Sequence, residues 1–227
     1  RVATPAGLAA AWDALKNVPC VLEKMLPLAA ECSVIVARGA DGELVHFHPQ
    51  LNLHRDGILA VTEVHEKILP ARLAQQAIDA AKSIAEGLAY VGVLCVEFFV
   101  LSDGSLVVNE MAPRPHNSGH YSIDACDHSQ FDLQVLTLAG LPLPQPRLHS
   151  PAVMLNLLGD VWLDAAQPGA PDWSSVLALP GAHLHLYGKA DARRGRKMGH
   201  LTFTASDFAQ ARTRAQQAAA LLGLPPF

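Results

Sequence analysis

Residues 93–120, VLCVEFFVLSDGSLVVNEMAPRPHNSGH, hold the most specific chemistry in this chain. Two apolar runs, 93–101 and 106–111, flank Ser102-Asp103-Gly104-Ser105. An Asp-Gly pair between such runs predicts a β-hairpin with a two-residue loop. That register pairs 101 with 106 and 102 with 105, and it sets Glu97 opposite Glu110. Directly opposed residues hold their Cβ atoms about 4.5–5.5 Å apart, a placement that destabilises like charges left to themselves. An ionised carboxylate inside Val-Leu-Cys-Val-Glu-Phe-Phe-Val-Leu is also costly without a partner. A positive group is therefore expected between the two. Oxygen ligands from two carboxylates suit Mg²⁺, which keeps waters and takes further ligands from nucleotide phosphates. The alternatives are a solvated outer face or an ion pair between one glutamate and Arg114. The reading depends on the turn and fails if the loop shifts the register.

The hairpin runs into Ala112-Pro113-Arg114-Pro115-His116-Asn117-Ser118-Gly119-His120. Two prolines hold the backbone extended, and a row of directional donors follows, with a glycine that permits a turn. This reads as a ligand loop, because a linker carries charge or Gly/Ser repeats instead.

Half of the 227 residues are hydrophobic and 17% are charged, which excludes disorder and is enough to bury a large core. A net charge of −4 gives no global attraction for nucleic acid or acidic membranes, so any anion site must be local. Cys20, Cys32, Cys95 and Cys126 form no CxxC pair and lie mostly in apolar runs, as buried thiols of a reducing cytoplasm do. No signal peptide and no apolar run of membrane-spanning length is visible. The chain starts at Arg1 without a methionine, as a processed or excised piece would.

Thr4-Pro5 predicts a helix over residues 5–15 that Pro19 closes. Residues 20–26 and 31–38 read as strands, and Asp41-Gly42 turns the second into 43–48. Residues 52–57 read as a polar loop, 60–65 as a strand, and 70–88 as an amphipathic helix. A capped helix is expected over 130–139, with Gly140 and Pro142 after it. The proline-rich stretch 141–146 is the one with boundary character. Beyond it come strands at 151–158, 182–187 and 200–204, then a helix capped by Ser206 and running to Leu222. Lys189, Arg193, Arg194, Arg196 and Lys197 crowd one Gly-containing loop with Asp191 as the only acid, an isolated basic patch suited to phosphate. The pairs His46/His48 and His183/His185 lack a third ligand of suitable spacing, which argues against metal there.

The run NEMAPRPHNSGHYSIDACDHSQFDLQ, residues 109–134, resembles the signature of the N5-carboxyaminoimidazole ribonucleotide synthetases, ATP-grasp enzymes of bacterial and fungal purine synthesis. The resemblance implies an α+β fold. An ATP-grasp C-terminal lobe over residues 1–145, mainly antiparallel sheet with flanking helices, precedes a small β-rich C-terminal domain over 146–227 with a terminal helix. It implies ATP with Mg²⁺, or Mn²⁺, held by Glu97 and Glu110. Glu23, Lys24, Met25 and Leu26 are implied to meet the adenine edge, Glu31 the ribose, and His54, Asn109 and Glu110 the nucleotide. Adjacent strand residues face opposite ways, which sets Asn109 apart from Glu110. Arg114, His116, Asn117 and Ser118 are implied to position bicarbonate and the imidazole ring, with Arg114, His116 and Asn117 as the catalytic set. Lys189 and Arg196 are implied to hold the 5′-phosphate.

The implied reaction carboxylates 5-aminoimidazole ribonucleotide. Bicarbonate attacks the γ-phosphate of ATP, and carboxyphosphate delivers the carboxyl group to the exocyclic amine. Another ATP-grasp ligase working through an acyl phosphate, or a non-catalytic nucleotide-binding module, is the alternative. Many ATP-grasp members carry Asn as a metal ligand two residues after the second glutamate, where this chain has Ala112. The resemblance covers essentially the whole chain but about the C-terminal two thirds of a family member, without the N-terminal domain, a lysine and a Gly-rich loop. The full-length protein is expected to be a cytoplasmic homodimeric synthetase, and this piece alone to be inactive.

Overall fold

Three Asp-Gly pairs close hairpins in this protein, and they do so with two geometries. The structure is a computed structural model describing residues 2–164 and 171–227. At Asp56-Gly57 both residues have positive φ, 50° and 76°, and Arg55 pairs with Ile58 across a two-residue loop. At Asp103-Gly104 only the glycine does, with φ 81°. There Leu101 N donates to Ser105 O and Gly104 N to Leu101 O, both at 2.9 Å, which closes a three-residue loop. Gly39 and Glu43 repeat that pattern around Asp41-Gly42. In both long loops the aspartate Oδ1 accepts the backbone N–H two residues on, from Ser105 at 2.9 Å and from Glu43 at 3.0 Å. The expected pairing of 101 with 106 and 102 with 105 is thus corrected by one residue: Val100 faces Leu106.

A 3-10 turn, Pro5–Gly7, leads into α1 (Leu8–Ala14). The strands β1 (Leu28–Arg38), β2 (Leu44–His46), β3 (Gln50–Arg55) and β4 (Ile58–Val64) follow, then α2 (Ala71–Gly87), β5 (Gly92–Leu101) and β6 (Leu106–Ala112). The ligand loop holds a 3-10 turn, Asn117–Gly119, and the short helix α3 (Ser122–Ala125) before α4 (Gln130–Ala139). The last part comprises β7 (Ala152–Leu158), α5 (Asp160–Leu163), α6 (Trp173–Leu177), β8 (Ala182–Leu186), β9 (Lys197–Thr204) and α7 (Phe208–Leu221).

One nine-stranded sheet runs through all of this in the order β6-β5-β1-β3-β4-β7-β9-β8, with β2 beside the far end of β1. The pairings are antiparallel. Because side chains alternate across a strand, β1 and β5 feed two cores. Val34, Val36, Leu94, Val96 and Phe98 pack on Ala77, Ala81 and Ala85 of α2. Ile35, Ala37, Val93 and Cys95 pack on Tyr121, Ala125 and Leu133 of the opposite layer. A third core joins Val61 of β4 to Leu155, Leu201 and Phe203 and to the alanine face of α7. The sheet is continuous across residue 146, since β4 pairs with β7.

Three local expectations are corrected. Residues 20–26 form no strand; they find no sheet neighbour among the described residues, with Val21 85%, Leu22 71% and Met25 75% exposed. A strand without a neighbour leaves its backbone groups to water. Residues 52–55 are strand, not loop: Asn52 joins a buried hydrogen-bond chain and His54 lines the cavity of the site. The last helix is capped by Asp207, whose Oδ1 accepts from Gln210 N at 2.9 Å, and not by Ser206. The helix over 130–139 has the expected ends: a capping box of Ser129 and Asp132, and Gly140 at φ 63°.

Candidate active site

Glu97 and Glu110 do face each other, through two departures from the simple hairpin that cancel. The loop is one residue longer than the sequence indicates, and a β-bulge at Asn109 absorbs the difference between the pairs Glu97↔Glu110 and Phe98↔Val108. The bulge also overturns the expectation that Asn109 and Glu110 point apart. Both line one cavity of about 910 Å³, together with Glu31, His54, Glu97, Phe99, Arg114, His116 and Lys197.

Glu97 is buried and Glu110 is open to the cavity. Burial, then the charges of Glu110 and Glu31, push the Glu97 carboxyl up to about 7. Among the described residues neither glutamate has a Lys or Arg partner within ion-pair distance; the Arg114 guanidinium turns instead to its neighbour's carbonyl, Pro115 O, at 3.0 Å. Two opposed carboxylates without a Lys or Arg partner fit a divalent ion held by oxygen ligands. Cys95 and His116 also bring a ligand atom near Glu97. The Cys95 thiol, pushed up to about 12 by burial, stays protonated and is no ligand for a hard cation.

His116 is the structural centre of the loop. Its Nε2 lies 3.0 Å from Glu97 Oε1. Gln130, fully buried at the start of α4, accepts from His116 N at 2.8 Å and donates to His116 O at 2.7 Å, so one side-chain amide clamps this residue's backbone. Gln130 also meets His120 Nδ1 at 2.9 Å. Burial pushes the His116 and His120 imidazoles down to about 4. Beneath them a buried chain runs from β4 to the loop. Thr62 Oγ1 donates to Asn52 Oδ1 at 3.1 Å, Asn52 Nδ2 to Ser33 Oγ at 2.7 Å, and Ser33 Oγ to Ser118 Oγ at 3.0 Å. Ser118 Oγ lies 2.9 Å from His116 Nδ1.

Of the residues expected at the site, Glu31, His54, Glu97, Asn109, Glu110, Arg114 and His116 share the cavity wall, and His54 Nδ1 lies 2.7 Å from Glu31 Oε2. Asn117 and Ser118 are buried under the wall, not on it. Glu23, Lys24 and Met25 lie exposed and Leu26 half-buried on the unpaired segment, and none of the four lines the cavity, whose lining begins at Leu28. Lys189 and Arg196 do not line the cavity: Lys189 Nζ donates to Lys197 O and Arg196 to Asp191 O. Arg194 is neutralised by Asp160 and Asp164. From this basic loop the residue that reaches the cavity, among the described residues, is Lys197, the first residue of β9. Reading the loop as one patch hid it, since only strand register distinguishes 197 from 196. The His183/His185 pair does find company: Asp124 lies 2.9 Å from His185 Nε2 and 3.6 Å from His183 Nδ1, and His200 stacks on His185. Those partners are remote in sequence, so spacing could not reveal them.

The chain belongs to the ATP-grasp family, whose domain matches residues 1–131. Residues 152–214 match the phosphoribosylaminoimidazole carboxylase C-terminal domain. More particularly, the chain is similar to N5-carboxyaminoimidazole ribonucleotide synthase. The protein of that name from Brucella melitensis is 45% identical over 196 residues, covering 85% of this chain and 51% of the relative. The Bacillus subtilis protein is 43% identical over 194 residues, covering 83% and 48%. The solved structure of the Aspergillus clavatus synthase in complex with ADP and 5-aminoimidazole ribonucleotide superposes with a TM-score of 0.86 at 34% identity, covering 98% of this chain and 59% of that one. The chain thus spans about half the length of the curated relatives it matches, less than the two thirds expected. No helix among the described residues is long and apolar enough to cross a membrane.

Proposed function

We propose that the complete protein carboxylates 5-aminoimidazole ribonucleotide with bicarbonate, cleaving ATP to ADP and phosphate and giving N5-carboxyaminoimidazole ribonucleotide. The observation that carries this reading is the opposed pair Glu97 and Glu110 beside Arg114 and His116 on one cavity wall, in a chain similar to synthases of that name.

Glu97 and Glu110 would hold Mg²⁺ or Mn²⁺. When bound, such an ion supplies charge neutralisation on the phosphates. Glu31 and His54 receive the nucleoside and Asn109 its phosphates; residues 23–26 meet the adenine edge once that segment folds over the nucleotide. Arg114 and His116 orient bicarbonate and the imidazole ring, with Asn117 and Ser118 supporting them from below. A bicarbonate oxygen bonds to the γ-phosphorus as the bond to the ADP oxygen breaks. The exocyclic amine then takes the carboxyl group, a proton leaves the amine, and phosphate departs. Orientation supplies much of the acceleration, and enclosure protects the acyl phosphate from water. Lys189 and Arg196, in the loop that brings Lys197 to the cavity, take the 5′-phosphate. The division at 145/146, a homodimer and a cytoplasmic setting complete the reading.

ADP release by the complete protein tests it. Release should require bicarbonate and 5-aminoimidazole ribonucleotide together. Equal release with glycinamide ribonucleotide or an amino acid would move the protein to another ATP-grasp ligase.

A further inference from the structure

The buried chain that ends at His116 has a direction, and that direction fixes where the ring proton sits. A backbone N–H can only donate, and Ser118 N donates to His116 Nδ1, at 3.4 Å. Nδ1 therefore carries no proton. The side chains agree. The Asn52 amide accepts from Thr62 on its oxygen and donates from its nitrogen to Ser33. Ser33, already accepting from Asn52, has one proton to give and gives it to Ser118. Ser118, already accepting from Ser33, is left to donate toward His116 Nδ1. The Gln50 amide nitrogen donates to Ser33 O at 3.0 Å and His48 O at 2.7 Å, which turns its oxygen toward Ser118 Oγ at 3.5 Å, and the Cys95 thiol lies 3.7 Å away; both contacts are longer than the 2.9 Å to His116 Nδ1. Ser33, Thr62 and Ser118 are 0% exposed and Asn52 6%, so no solvent competes for these bonds.

We propose that Thr62, Asn52, Ser33 and Ser118 are positioning residues that lock His116 as the neutral tautomer with its proton on Nε2, aimed at Glu97. His116 then acts as a hydrogen-bond donor that orients a glutamate oxygen 3.0 Å away, and not as a base toward substrate, because its one basic nitrogen is occupied. Ser118 reaches the reaction only through His116. This rests on the proposed function for its catalytic consequence, but the tautomer itself does not.

Long-range ¹⁵N–¹H spectra of the complete protein, with histidine labelled and His116 assigned through His116→Asn, read the tautomer directly. The expected result is an unprotonated Nδ1 and a protonated Nε2. A protonated Nδ1, in either the other tautomer or the imidazolium, overturns the inference whether or not the protein turns over. In turnover assays Ser118→Ala should lower kcat about tenfold, the loss of one buried hydrogen bond, with little change in KM for ATP. Ser118→Thr, which keeps the hydroxyl, should recover most of it. Wild-type kcat in Ser118→Ala overturns the positioning role. A correct tautomer in a protein that lacks the carboxylation activity would instead sink the proposed function and leave the lock standing.

Discussion

Glu97 has the least comfortable surroundings of any carboxylate described, and this should be visible in stability against pH. Its folded-state pKa, about 7, lies above the ordinary 4.5, so the folded protein holds that proton more tightly than the unfolded chain does. Its contribution is full below the ordinary value and is lost as pH rises through about 7. The buried His116, His120 and His200 are shifted the other way and lose stability as pH falls below 6.5. The histidine contributions are common to wild type and Glu97→Gln, so the difference between the two isolates the glutamate. The urea midpoint of metal-free wild type relative to Glu97→Gln should fall as pH rises from 4.5 to about 7 and stay level above it. A difference that does not change with pH would place the strain elsewhere. At this scale the pairing of two acids was legible, because a like-charge pair inside apolar strands is a rare pattern with one common remedy. Burial was not legible: Ser118 and Arg114 look alike as loop donors, yet one is sealed and the other open.

The central hairpin teaches caution about register. The Asp-Gly rule gave the right facing pair for an incomplete reason, since a three-residue loop and a bulge at Asn109 offset each other. Asp56-Gly57, read as loop, is the pair that makes the two-residue turn. Nothing in four residues separates these turns, because the choice is made by the strands they join. Helices were easier: the spacing of alanines on α2 and the caps of α4 are local signals, and both elements lie where they were predicted. Two glycines separate strain from sterics. Gly104 has φ 81° and nothing within 4 Å of an added Cβ, so Gly104→Ala should cost about 1 kcal/mol, from backbone strain alone. At Gly119 a Cβ would collide with Ile35 Cδ1 and fall 2.7 Å from Gln130 Oε1. Gly119→Ala should cost about 1–3 kcal/mol and also lower kcat, since it displaces the clamp on His116. Chemical denaturation with turnover assays checks both, and full activity in Gly119→Ala would remove Gln130 from the account.

Over the whole molecule, the proline-rich stretch joins strands of one continuous sheet. The β4–β7 pairing and the core shared by Val61, Leu155 and Phe203 tie the two matched regions together. They should unfold together. Trp162 and Trp173 report on the last part, while Trp12 is exposed, so tryptophan fluorescence follows the C-terminal region and far-ultraviolet circular dichroism follows the whole sheet. Coincident urea midpoints are expected, and separated ones would mean independent units. Sheet order was hidden in the sequence because it depends on contacts between strands as remote as 64 and 152. The central claim is that Glu97 and Glu110 hold a divalent ion against nucleotide phosphates, and calorimetric titration of ADP into the complete protein, with and without Mg²⁺, tests it most directly. Glu97→Gln and Glu110→Gln should each weaken Mg·ADP binding about tenfold or more while leaving metal-free ADP binding unchanged. Equal Mg·ADP affinity in wild type and both variants would contradict it.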